Sequence, residues 1–117
     1  ARKIDPTRQV SGIAPNFIHS LDASHLMMSV CEAKRHSISN FALIHDSLGT
    51  HAGHTEDFAK IIRETFYRLY SEYTPLEDIT KHLLEQIENP DKEKIPTPPT
   101  KGDLDLTKIK EAVYLFA

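Results

Sequence analysis

The run Phe41-Ala42-Leu43-Ile44-His45-Asp46-Ser47-Leu48-Gly49-Thr50-His51 constrains this chain more than any other. Four apolar residues lead straight into a carboxylate, and a second short segment leads away. The pattern predicts a fully buried strand over residues 41–44, a turn at His45-Asp46-Ser47-Leu48 and an antiparallel return over residues 49–51. Aspartate tolerates left-handed backbone angles better than most residues, so Asp46 suits the turn and would be held rigidly at the lip of a sheet. The plainer reading makes His45-Asp46-Ser47 a polar turn and nothing more.

Size and charge narrow the setting. A chain of 117 residues fits one modest domain, able to bury roughly two thirds of its unfolded surface. The net charge of −3 argues against wholesale electrostatic wrapping of nucleic acid, which wants a basic surface, but leaves room for local contacts. The basic groups Arg2, Lys3, Arg8 and Lys34-Arg35-His36 read as solvated surface. One cysteine, Cys31, excludes an internal disulfide framework and a cysteine-based zinc site; among apolar neighbours on a helix it reads as inert packing. No apolar run approaches the ~20 residues that span a bilayer. No signal peptide opens the chain, so a reducing cytosol or matrix is expected rather than secretion. The start at Ala1-Arg2, without an initiator Met, reads as a piece of a longer chain.

Along the chain, residues 3–10 read as a short, mildly β-prone edge segment limited by Pro6 and broken at Ser11-Gly12. A helix then follows, with Pro15 in its first turn and its end at Lys34 or Arg35. The clearest helix covers residues 56–72: Phe58, Ile61, Ile62, Phe66, Leu69 and Tyr70 recur at three- and four-residue spacing, with Thr55 as N-cap and Glu56 and Asp57 suiting the helix dipole. Pro75 opens a further amphipathic helix through Leu76, Ile79, Leu83 and Ile87. Residues 89–103 carry Pro90, Pro96, Pro98, Pro99 and Gly102 and predict an extended path. A short helix near residues 107–112 precedes the apolar end Val113-Tyr114-Leu115-Phe116-Ala117, which either packs back on the core or sits near a site.

Chemistry is concentrated in two places. Phosphoryl transfer by the two-metal route needs divalent ions about 3.5–4 Å apart, held by at least two carboxylates on rigid elements. Asp46 has the setting for one of them. The second place is His19-Ser20-Leu21-Asp22-Ala23-Ser24-His25. On a regular helix His19 and Asp22 lie about 60° apart, but His19 and His25 lie about 120° apart, which is poor geometry for one metal. Together with Asn16, these residues suit neutral hydrogen bonds to a nucleic-acid backbone. His51-Ala52-Gly53-His54 lacks a third ligand and reads as a loop.

The run Gly12-Ile13-Ala14-Pro15-Asn16-Phe17-Ile18-His19-Ser20-Leu21-Asp22-Ala23-Ser24-His25 resembles the helix before the third catalytic motif of single-subunit, phage-type DNA-directed RNA polymerases. Phe41 to Ser47 resembles that motif itself. Pro99-Thr100-Lys101-Gly102-Asp103-Leu104-Asp105-Leu106 resembles the stretch before the family's C-terminal tail, and Phe116-Ala117 the end of that tail. The resemblance runs through nearly the whole chain in one collinear order.

The resemblance implies an α+β fragment of the polymerase palm: a β-hairpin carrying the catalytic aspartate, packed against helices, with an extended C-terminal foot. Residues 1–54 would be the palm segment, 55–89 a helical segment and 90–117 the connection and foot, forming one unit within a larger polymerase. Asp46 corresponds to the second catalytic aspartate, which binds magnesium, and His45 to the histidine next to the growing RNA end. His19, Asn16 and Ser47 correspond to nucleic-acid contacts, and Phe116 and Ala117 to the foot. The implied partners are DNA template, RNA product, nucleoside triphosphates and the rest of the polymerase chain, and the implied compartment is a phage host's cytoplasm or the mitochondrial matrix. Leu48 stands where phage relatives often have Phe, and Tyr114-Leu115 precede the tail pair where Phe-Ala is usual; these departures spare the metal ligand and alter the packing of the foot. The run from Phe17 to Asp22 has the more mitochondrial pattern.

The family's first motif, with the other metal-binding aspartate, has no match here, and Asp5, Asp22, Asp57 and Asp103 have no comparable setting. The chain alone is therefore expected not to polymerise RNA. An exposed strand edge would offer a route to self-pairing. Two other classes compete: a metal-dependent phosphoesterase, which needs a second carboxylate close to Asp46, and a non-catalytic helical interaction module, which needs no metal at all.

Overall fold

A computed structural model describes residues 3–87 and 95–115. The first helix, α1, runs from Pro6 to Arg35, so residues 6–10 of the expected edge segment are helical and Ser11-Gly12 does not break the helix. The cause is the pair Asp5-Pro6. The Asp5 carboxylate accepts the free N–H groups of Thr7 and Arg8 at 3.0 and 3.3 Å, and Pro6 sits where a missing N–H costs nothing. Pro15, expected in a first turn, lies in the helix interior and gives up one intrahelical hydrogen bond.

The end of α1 is specified by geometry. Ser37 has φ 65°, in the left-handed region, and follows the C-cap His36. The Ile38 N–H donates to the Ala33 carbonyl at 3.0 Å and the Ser37 N–H to the Lys34 carbonyl at 3.1 Å. That is a Schellman closure, and its apolar contact is present: Ile38 and Ala33 belong to one buried cluster.

Strand β1 (Phe41–Ile44) pairs antiparallel with β2 (Ser47–Thr50), in the register Phe41↔Thr50 to Ile44↔Ser47. The turn therefore has two residues, His45 and Asp46, and Ser47-Leu48 already belong to the return strand. The Thr50 hydroxyl donates to the Asn40 carbonyl at 2.8 Å and closes the open end. The expectation that β1 is fully buried does not hold. Phe41 is half-buried, Ala42, Leu43 and Ile44 are exposed, and Ile44 is 69% exposed. A two-stranded sheet has two edges and two faces, and the core of this chain covers only part of one face.

A 3₁₀ turn (Ala52–His54) leads into α2 (Thr55–Glu72). Thr55 is the first helical residue rather than a cap, and its hydroxyl reaches the His51 carbonyl at 3.4 Å. The chain divides into two compact units, residues 1–65 and 66–117, with the boundary inside α2. In the first, Ala33, Ile38, Phe58 and Ile61 form the core, joined by Phe41, Leu48 and Ile62. The rings of Phe41 and Phe58 meet at 5.4 Å and fasten the hairpin to α2.

In the second unit Leu69 is buried, the rings of Phe66 and Tyr70 meet at 4.7 Å, and the Lys110 ammonium sits 3.9 Å from the centre of the Tyr67 ring. Helix α3 (Pro75–Gln86) opens on Pro75 as expected. The short helix expected over 107–112 is a 3₁₀ turn, Leu106–Lys110, capped by Asp105. The Asp105 carboxylate accepts from the Thr107 hydroxyl at 2.6 Å and its N–H at 3.0 Å, which holds its pKa below the usual value. Val113 and Tyr114 are exposed, Tyr114 by 83%, so these two residues do not pack back on a core. Phe116 and Ala117 lie outside the described residues.

Candidate functional site

The hairpin tip is built by local conformation. His45 has φ 55°, while Asp46 does not share it, so the left-handed position falls on the histidine and not on the aspartate as expected. Positive φ at the first central residue alone is the pattern of II′ hairpin turns, where glycine is favoured because it has no Cβ to strain. A histidine there is uncommon, although histidine tolerates the region better than branched residues do. Strain of this kind gathers where a side chain must be held in one place.

Asp46 and its neighbours His45 and Ser47 are all exposed. Among the described residues the Asp46 carboxylate accepts no hydrogen bond and forms no ion pair, so its oxygens are available to a ligand. Asn16 and His19 are exposed on α1. The serines between them and the end of that stripe are turned inward chemically: Ser20 Oγ donates to the Phe17 carbonyl at 2.6 Å and Ser24 Oγ to the Ser20 carbonyl at 2.8 Å. Asn16 and His19 are thus left as the polar pair of that face, with no hydrogen bond joining them to the hairpin tip among the described residues.

The second histidine pair directly follows the hairpin. His51 and His54 are exposed beside the 3₁₀ turn, and the His51 backbone carbonyl, not its ring, accepts from the His54 N–H at 2.9 Å. No cluster of three His, Cys, Asp or Glu side chains able to hold a metal occurs among the described residues. Asp46 offers the hard oxygen donor that magnesium prefers, but as one ligand only. Cys31, read as inert packing, is exposed.

One residue has a role that sequence reasoning missed. His25 is 5% exposed, and its Nε2 lies 2.9 Å from the Ile62 carbonyl on α2. Burial pushes its pKa down, with the Ile62 hydrogen bond and the nearby Asp22 charge opposing the shift. The signal available was spacing: His25, Ser29 and Ala33 recur every four residues, and all three are buried.

Comparison with known proteins places the chain. The family described as DNA-dependent RNA polymerase matches residues 1–95. Over 116 residues the chain is 41% identical to the DNA-directed RNA polymerase of Enterobacteria phage K11, covering 98% of this chain and 13% of that protein. It is equally, 41%, identical over 116 residues to the mitochondrial DNA-directed RNA polymerase 1 of Arabidopsis thaliana, covering 97% of this chain and 11% of that protein. DNA-directed RNA polymerase 1A of Nicotiana tabacum is 40% identical over 116 residues, 97% of this chain and 70% of that protein. The chain therefore spans a small part of the length of the phage and mitochondrial relatives. With the family matched over most of its length, the chain belongs to the phage-type, single-subunit DNA-dependent RNA polymerases.

Proposed function

We propose that this chain is the part of a phage-type RNA polymerase that supplies the second metal-binding aspartate, Asp46, and a set of contacts to the RNA–DNA hybrid. One observation carries the reading: in a chain of this family, a two-residue turn holds His45 in the left-handed region and leaves the Asp46 carboxylate exposed and unengaged beside it. The parent reaction is attack of the RNA 3′-hydroxyl on the α-phosphate of a nucleoside triphosphate, with release of pyrophosphate. A magnesium pair, when bound, supplies activation of the hydroxyl and neutralisation of the leaving phosphates.

This chain's residues divide the remaining work. Asp46 would contribute one carboxylate to that pair, and His45, fixed by its backbone, hydrogen-bonds beside the RNA end. Ser47, Asn16 and His19 contact nucleic acid through neutral hydrogen bonds that orient without adding charge, in keeping with a net charge of −3. Residues 1–54 act as the palm segment, 55–89 as a helical segment, and 90–117 as the connection and foot ending at Phe116-Ala117. The second carboxylate and the nucleotide-handling residues come from the rest of the polymerase, which also covers the exposed face of β1. Template DNA, RNA product and nucleoside triphosphates are partners of the whole enzyme, in a phage host's cytoplasm or a mitochondrial matrix.

The isolated chain, having one ligand of the pair, is expected to be inactive. Incubating it with magnesium, a primed template and nucleoside triphosphates should yield no extended RNA. Extension by the chain alone would overturn the reading. Metal-dependent cleavage of a simple phosphodiester would replace it with a phosphoesterase, and failure of the full polymerase to need Asp46 would favour a plain structural hairpin.

A further inference from the structure

Three polar side chains occupy the seam between α1 and α2, away from the hairpin: His25, Ser29 and Thr65 are all buried. Their protons can be assigned from the acceptors. A carbonyl only accepts, so the 2.9 Å contact from His25 to Ile62 puts a proton on Nε2. The Thr65 hydroxyl shares its proton between the Ile61 and Ile62 carbonyls at 2.9 and 3.0 Å, which leaves its oxygen to accept from the Ser29 hydroxyl at 2.7 Å. The Ser29 oxygen then takes a second, longer share of the His25 N–H at 3.3 Å. The histidine stands at the head of one directional chain of hydrogen bonds, and no buried side-chain N or O among the described residues lacks a partner.

These bonds add direction to the apolar packing of α1, in which Ala33 joins the core and Leu21, Leu26, Met28 and Val30 are half-buried. Its large apolar residues Val10, Ile13, Ile18 and Met27 are exposed, whereas the face it buries is His25, Ser29 and Ala33. A helix face of small and polar groups gains little from buried area, so directional hydrogen bonds select its rotation. Around the helix axis, Asn16 lies about 180° and His19 about 120° from His25. Pinning His25 onto α2 turns that pair outward, and α2 is also the helix that holds the hairpin through Phe58 and Phe41.

We propose that His25 is a positioning residue for template-directed synthesis: its bond to Ile62 fixes the rotation of α1 on α2, so that Asn16 and His19 meet the RNA–DNA hybrid in register with the hairpin bearing Asp46. This rests on the reading of Asn16 and His19 as hybrid contacts. The test measures binding of the full polymerase to an RNA primer annealed to a DNA template, for His19→Ala, His25→Leu, the double variant and His25→Gln, with circular dichroism confirming the fold.

His19→Ala and His25→Leu should each weaken binding about fivefold, the size expected for one displaced hydrogen bond. The double variant should bind no worse than the weaker single one, because His25 acts through His19. Glutamine restores an N–H near the Nε2 position, so His25→Gln should bind within about twofold of the parent. Should His25→Leu not fold, Ser29→Ala combined with Thr65→Val strips the support of the same histidine and is paired with His19→Ala instead. Fully additive losses, or unchanged binding by folded His25→Leu, overturn this inference alone. Parent-like binding by His19→Ala overturns the hybrid-contact reading and this inference with it.

Discussion

Helices α1 and α2 meet in one unit but are held by opposite means. The part of α2 that faces α1 and the hairpin buries Phe58 and Ile61, so its place follows from area removed from water. Helix α1 exposes Val10, Ile13, Ile18 and Met27 and half-buries Phe17 and Leu21, while its fully buried positions are a histidine, a serine and Ala33. The difference teaches what each helix is for. One is placed mainly by buried apolar area; the other leaves apolar residues exposed and is held partly by directional hydrogen bonds.

The largest effect that sharpens the contrast is loss of Phe58. Phe58→Ala should destabilise the chain by about 3–5 kcal/mol, the usual cost of emptying a buried aromatic site, read as a shift in the denaturant midpoint. Ile18→Ala on α1 should change the same midpoint far less, by about 0.5 kcal/mol, because more than half of the residue is already in water. Comparable losses at the two positions would break the contrast.

The polar seam adds a pH dependence that the apolar core lacks. The folded-state pKa of His25 lies below its ordinary value of 6.5, so the fold favours the neutral ring. Its contribution is fully present above the ordinary pKa and is lost as pH falls through and below that value. Denaturant midpoints should therefore drop between neutral pH and pH 5, and His25→Gln should flatten that component. An unaltered slope in the glutamine variant would show that the acid sensitivity lies elsewhere.

The smallest expected change is a gain. Ser37 occupies the left-handed position of the α1 closure, where glycine pays no steric penalty, so Ser37→Gly should stabilise by about 0.5–1 kcal/mol. A loss instead would mean that the serine side chain matters more than its backbone angle.

The contrast also explains which parts were legible in the sequence. Helix α2 was readable because apolar residues at helical spacing end up at least partly covered, and α3 because Pro75 opens a helical spacing whose Leu76 and Leu83 nonetheless stay exposed. The hairpin was readable as a pattern of four apolar residues followed by polar turn formers. Its two-residue turn, and the left-handed angle at His45 rather than Asp46, depend on strand register, which composition does not specify. Its open face was misread because apolar runs are taken as buried, and here only Phe41 of β1 reaches the core of this chain. The start of α1 was hidden by β-prone residues and Ser11-Gly12, although Asp5-Pro6 carries the cap. His25 was hidden because a histidine in a polar run looks solvated until the Ile62 carbonyl on the facing helix and the Ser29 hydroxyl supply its partners.

Of the proposed site, Asp46, His45 and Ser47 were singled out by motif, and the structure adds the left-handed backbone angle at His45. The claim that the tip carries half of a magnesium site is tested most directly by single-nucleotide addition in the full polymerase. Asp46→Asn should slow the chemical step by at least about a thousandfold, more than the 10–100-fold of residues that merely support a ligand, while leaving template affinity near that of the parent. Equal loss of rate and template affinity, or a rate close to the parent's, would contradict it.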